Sequence, residues 1–91
     1  MRTAARNDDN QTKIVSALRE AGFVVWIIRW PVDLLVRCNK AWLPMEVKDG
    51  DKPPSARELT PDQAQFVSSA GLAPVAVVTD IESALRAARM L

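Results

Sequence analysis

The chain has 91 residues, 48% of them apolar, and a formal net charge of +1, which fits one small folded domain rather than a disordered chain or a globally basic nucleic-acid binder. It holds no histidine and one cysteine, which excludes hydrolase triads and zinc sites built on imidazole, excludes an internal disulfide, and fits a reducing compartment. The longest apolar run, Phe23 to Val36, is interrupted by Arg29 and Asp33, and the first residues are polar; neither a membrane span nor a signal peptide is expected, and the expected setting is cytoplasmic.

In chain order, residues 1–7 read as a loose basic tail. Asp8 or Asp9 can cap a helix reaching Ala21, with Gly22 as its stop. Ile14, Val15, Leu18 and Ala21 form its apolar stripe, and Gln11 lies on the same stripe. Phe23 to Arg29 is almost wholly β-branched or aromatic, which predicts a strand covered on both faces. Pro31 separates it from a strand over Val32 to Cys38. A third strand runs from about Trp42 to Lys48 despite Pro44, a residue that normally argues against an interior strand. Asp49 to Glu58 contains Gly50, Lys52, Pro53, Pro54 and Arg57 and reads as a mobile loop.

Thr60-Pro61-Asp62-Gln63 is a helix start, with Thr as N-cap, Pro at N1 and Gln at N3 completing a capping box. That helix carries Phe66, Val67 and Ala70 on one stripe and stops at Gly71. Pro74 to Thr79 is a short apolar strand. Thr79-Asp80-Ile81-Glu82 then starts a last helix that turns Leu85, Ala88 and Met90 towards the core. The order is helix, three antiparallel strands, helix, strand, helix. A right-handed crossover between the third and fourth strands would make them parallel, giving an α/β domain with a four-stranded mixed sheet flanked by helices.

The chemistry concentrates at Met45-Glu46-Val47-Lys48 and Asp33. In a strand, Leu43, Met45 and Val47 share one face while Glu46 and Lys48 share the other. Val32, Leu34 and Val36 likewise share a face, with Asp33 on the opposite one. Asn39-Lys40 can form a two-residue turn, Asn being tolerant of positive φ. That turn sets Asp33 directly opposite Glu46 in a non-hydrogen-bonded pair, where side chains approach most closely. Pro44 then falls opposite Leu35, with its missing N–H directed away from the second strand.

Like charges directly opposite destabilise a sheet. Lys48, on the same face, supplies part of the compensating charge, and a divalent cation would supply the rest. Mg²⁺ suits the place, being held by one or two carboxylates plus waters and phosphate oxygens. The other reading is a solvated sheet face whose Asp/Glu/Lys cluster has no function, since Glu-x-Lys arises often in strands. Around the site, Arg29, Arg37, Lys40, Lys48, Lys52 and Arg57 form a candidate DNA-binding cluster.

The element order, Pro31-Val32-Asp33-Leu34-Leu35-Val36, Glu46-Val47-Lys48, the Lys52-Pro53-Pro54 loop and the Thr60-Pro61 helix start together resemble the PD-(D/E)xK nuclease superfamily. More narrowly, they resemble small phage and bacterial proteins of the VRR-NUC type. The resemblance spans nearly the whole chain, from Arg6 to the strand near Val75. It implies a restriction-endonuclease-like fold. It also implies that Asp33, Glu46 and the backbone carbonyl of Val47 hold Mg²⁺ or Mn²⁺, while Lys48 orients or deprotonates the attacking water and stabilises phosphate charge. Two departures stand out. Gln11 occupies the place of a glutamate that the family often carries on its first helix, and Val32 replaces the proline before Asp33. Gln63 resembles a family glutamine facing the site, although a capping-box role accounts for it fully.

The expectation is therefore a metal-dependent DNA endonuclease acting on branched or flapped structures in phage or bacterial DNA processing. The metal would generate hydroxide near neutral pH, and DNA shape rather than base sequence would set specificity. A homodimer is expected, since a junction or duplex presents two strands to a chain with one site. The alternatives are a catalytically silent nucleic-acid-binding or assembly module of the same fold, and a structural protein whose cluster is a solvated face.

Overall fold

The computed structural model describes the backbone of residues 5–53 and 58–91, and within them the side chains from residue 10 onward. Its elements are α1 (Ala5–Glu20), β1 (Val24–Ile27), β2 (Leu34–Arg37), β3 (Trp42–Val47), α2 (Pro61–Ser69), β4 (Ala76–Val78) and α3 (Ile81–Arg89). This is the order expected from the sequence. The four strands form one sheet in the order β1-β2-β3-β4, antiparallel except that β3 and β4 run parallel. The class is mixed α/β.

Helix α1 begins earlier than the sequence suggests. Residues 5–7 belong to it rather than to a loose tail, and Asp8 and Asp9 lie inside it rather than at its cap. Ala5 and Arg6 are strong helix formers, so the helix propagates past the acidic pair. Its end is as expected. Gly22 takes φ +98°, the Gly22 N–H donates to the Arg19 carbonyl, and the Phe23 N–H donates to the Leu18 carbonyl, both at 3.0 Å. That is a Schellman closure, which needs a residue at positive φ.

One sheet face carries the core. Ile14, Val15 and Leu18 of α1, with Ala84 and Ala88 of α3, pack on Val25, Leu34, Val36, Leu43, Met45 and Val78. Helix α3 corrects one expectation: Met90 is 79% exposed at the C-cap, and the core position goes to Ala84, one turn before Ala88. A second correction concerns β1. Only Val25 of that strand is buried, whereas Val24 and Trp26 are exposed. Both core helices lie on the Val25 side, so an unbroken apolar run here does not mean two covered faces.

On the opposite face α2 reaches Glu46 through Gln63, and its stripe of Phe66, Val67 and Ala70 is half-buried. Pro44 sits opposite Leu35 as expected. On its far side, β4 starts pairing at Met45↔Ala76, one residue past the position whose N–H proline lacks. After β3 the chain passes Thr79 so closely that a Cβ on Gly50 would lie 3.1 Å from the Thr79 Cβ.

Candidate functional site

The β2–β3 register fixes the site. The Cys38 N–H donates to the Ala41 carbonyl at 2.8 Å across the Asn39-Lys40 turn, and Leu34 pairs with Met45. The next step sets Asp33 across from Glu46. There, the Asp33 N–H donates to Glu46 Oε1 at 3.2 Å, and the Val47 N–H donates to Asp33 Oδ2 at 2.9 Å. Because β2 pairing ends at Leu34, the Asp33 carboxylate takes the N–H that a continuing ladder would have bonded. N–H and C=O of one strand residue point the same way in such a ladder, so the Val47 carbonyl lies on the Asp33 side too.

Asp33 is also anchored from β1. Its carbonyl accepts from the Ile28 N–H at 2.9 Å and the Arg29 N–H at 3.1 Å. Two residues thus oppose one, in the manner of a bulge that re-aims a side chain. Arg29 takes φ +71°, a conformation costing a non-glycine residue on the order of 1 kcal/mol.

Glu46 is 4% exposed and is the one charged residue fully buried among the described residues. Its Oε2 pairs with Lys48 Nζ at 3.2 Å and accepts from Gln63 Nε2 at 2.8 Å. Lys48 Nζ also donates to Gln63 Oε1 at 3.2 Å, so three side chains close on one another. Burial first, then the negative charge of Asp33, push the Glu46 carboxyl above its ordinary range; Lys48 and Gln63 offset only part of that rise. Burial is the larger cause, so the rise reflects mainly the enclosed position of Glu46 and only then its closeness to Asp33.

Gln63 does two things at once. It completes the capping box of α2, with the Thr60 N–H donating to Gln63 Oε1 at 3.0 Å and the Gln63 N–H donating to Thr60 Oγ1 at 3.2 Å, and its amide N–H₂ holds Glu46. The helix start itself carries the glutamine to the site.

Gln11 is half-buried, but no hydrogen bond joins it to Asp33, Glu46 or Lys48 among the described residues. Sequence reasoning missed its neighbour Asn10. The Asn10 Nδ2 donates to the carbonyls of Lys48 and Thr79, at 3.0 and 3.2 Å, tying α1 to the ends of β3 and β4. The signal was available, for Asn10 stands four residues before Ile14 on the buried stripe.

Of the basic residues, Arg29 adjoins the site through its backbone bond to Asp33, whereas Arg37 and Lys40 stand away from it. Arg29, Arg37, Lys40 and Lys52 are all exposed, but Arg37 stands four residues along β2 from Asp33, roughly 13 Å away, and Lys40 lies in the turn beyond it. Arg57 falls outside the described residues.

The donor set contains only oxygen: two carboxylates and a backbone carbonyl, which suits Mg²⁺ or Mn²⁺ and not a soft metal. Among the described residues, no three His, Cys, Asp or Glu side chains come together, so a bound ion would depend on water and phosphate for most of its shell. No described helix is long and apolar enough to cross a membrane. Comparison with protein-family models, with curated proteins and with solved structures gives no match.

Proposed function

We propose that the protein is a metal-dependent endonuclease that hydrolyses DNA phosphodiesters. One observation carries the reading: Asp33 and Glu46 face each other across two paired strands, with Lys48 paired to Glu46 on the same face. Asp33, Glu46 and the Val47 carbonyl would hold Mg²⁺ or Mn²⁺, which when bound lowers the pKa of water and offsets charge on the phosphate. The chain's own contribution is positional. The Val47 N–H fixes Asp33, Gln63 fixes Glu46, and Lys48 reaches the face where a phosphate would sit.

Lys48 is paired with Glu46 before any substrate arrives. A cation taking over Glu46 would free the ammonium to meet the phosphate and the attacking water. Branched or duplex DNA is the proposed substrate class, with a second copy of the chain serving the second strand, in the DNA processing of a bacterium or phage. A catalytically silent DNA-binding module of the same fold is the second reading, favoured by the lack of a third acid among the described residues.

Nicking of supercoiled plasmid and of a four-way junction with Mg²⁺, Mn²⁺ or Ca²⁺ separates the two. Wild type should cleave with Mg²⁺ or Mn²⁺. Lys48→Ala should fall by about a hundredfold or more, the usual loss when one preorganised charge is removed from a transition state. Asp33→Ala should be as inactive for want of the metal. Wild-type cleavage by Lys48→Ala would overturn the mechanism, and metal-independent DNA binding without cleavage by the wild type would establish the second reading.

A further inference from the structure

All three tryptophans of the chain stand in water: Trp26 is 61%, Trp30 70% and Trp42 45% exposed. Tryptophan carries the largest apolar surface of any side chain, so exposing every copy in a small domain points to a surface with a partner. The strand register arranges two of them. On the face that bears Asp33 and Glu46, the next row outward is Trp26–Leu35–Pro44, and the row after that is Val24–Arg37–Trp42. Each row is two residues further along the strands, so the track extends roughly 13 Å from the acidic pair.

Charge identifies the partner. Arg37 stands in the outer row beside Trp42, exposed and without an ion pair among the described residues. Among the strand residues of this face, the acids lie only at the Asp33–Glu46 end. Aromatic platforms next to a cation bind unpaired bases and their phosphates, because each base offers a π-face once it is unstacked. A second copy of the chain packed two-fold on this face is the competing occupant, and the sedimentation measurement below distinguishes it. Strand addition at the β1 edge is hindered, because Arg19 Nη2 already donates to the outward Val25 carbonyl at 2.8 Å.

We propose that this open face binds single-stranded DNA, with bases stacked on Trp26 and Trp42 and a phosphate on Arg37, and leads that strand to the Asp33–Glu46 site. The inference rests on the DNA reading above and deepens it, making the preferred substrate a duplex with an unpaired strand beside the cleaved bond.

The test is binding in chelator, where cleavage is absent. Oligothymidylate of twenty nucleotides, titrated into the full chain, should quench tryptophan fluorescence and bind more tightly than a duplex of equal length. Trp26→Ala and Trp42→Ala should each weaken binding by about tenfold, within the range found for a lost base stack, read by anisotropy of a labelled strand. Trp26→Phe should recover most of the loss, and unchanged thermal midpoints would establish that the variants are folded. Equal affinity of the alanine variants for the single strand would overturn the proposal. So would a fall in sedimentation coefficient on Trp26→Ala, which would assign the face to a second copy. If single-strand binding depends on the tryptophans but no metal supports cleavage, only the nuclease reading fails; if cleavage occurs and binding ignores the tryptophans, only this inference fails.

Discussion

Glu46 is buried beside a second carboxylate, and that conflict makes a stability prediction. Its carboxyl is raised above the ordinary value of 4.5, chiefly by burial and next by Asp33. The folded protein therefore holds this proton more tightly than the unfolded chain does. Ionised Glu46 costs stability at every pH above its folded value. The cost shrinks as pH falls through that value and is gone below 4.5, where both states are protonated. In chelator, Glu46→Gln should accordingly unfold at a higher temperature than wild type near neutral pH, with the gap closing as pH falls towards 4.5. A gap that widens on acidification would show that the Lys48 pair outweighs burial. At this scale the sequence was informative where period two and one turn sufficed: Asp33 opposite Glu46 follows from alternation and Asn39-Lys40. Asn10 was less legible than Gln11, which stands at the position matching an acid in the resembled family, although the helical stripe holds both.

Elements differ in how much of their geometry is local. The start of α2 is set by four consecutive residues, and both halves of its capping box are present. The end of α1 is set by Gly22 and was equally legible. The start of α1 was not, because two acidic residues look like a cap whether or not the chain before them continues as helix. For β1 an apolar run signals burial, but which faces are covered depends on where distant helices land. Helix α2 has no fully buried residue, Phe66, Val67 and Ala70 being half-buried, so its cap contributes a substantial share of its stability. Thr60→Ala should cost about 1 kcal/mol, and the loss should be local. Hydrogen exchange should speed up across Pro61–Ser69 while the amides of β2 and β3 keep their protection. Because the same start delivers Gln63 to Glu46, nicking should weaken with it. Uniformly faster exchange through the whole sheet would mean that α2 is part of the cooperative core.

Across the whole molecule the sheet has two unlike faces, and the difference is measurable as energy. Leu34 and Met45 are fully buried under α1 and α3, whereas Trp26 and Trp42 stand on the opposite, open face. Cutting a buried leucine back to alanine loses transfer energy and leaves a cavity, so Leu34→Ala should cost 2–5 kcal/mol, roughly, in urea unfolding. That is a large share of the total for a domain of this size. Trp26→Ala removes a larger side chain from a place where it already meets water, so it should stay within about 0.5 kcal/mol of wild type. Protein concentration provides the control. A face covered by a second copy would make unfolding concentration-dependent in the wild type, and Trp26→Ala would remove that dependence. With the face free, the Trp26→Ala midpoint matches wild type at every concentration, and single-stranded DNA is the addition that separates them, raising the wild-type midpoint and not that of the variant.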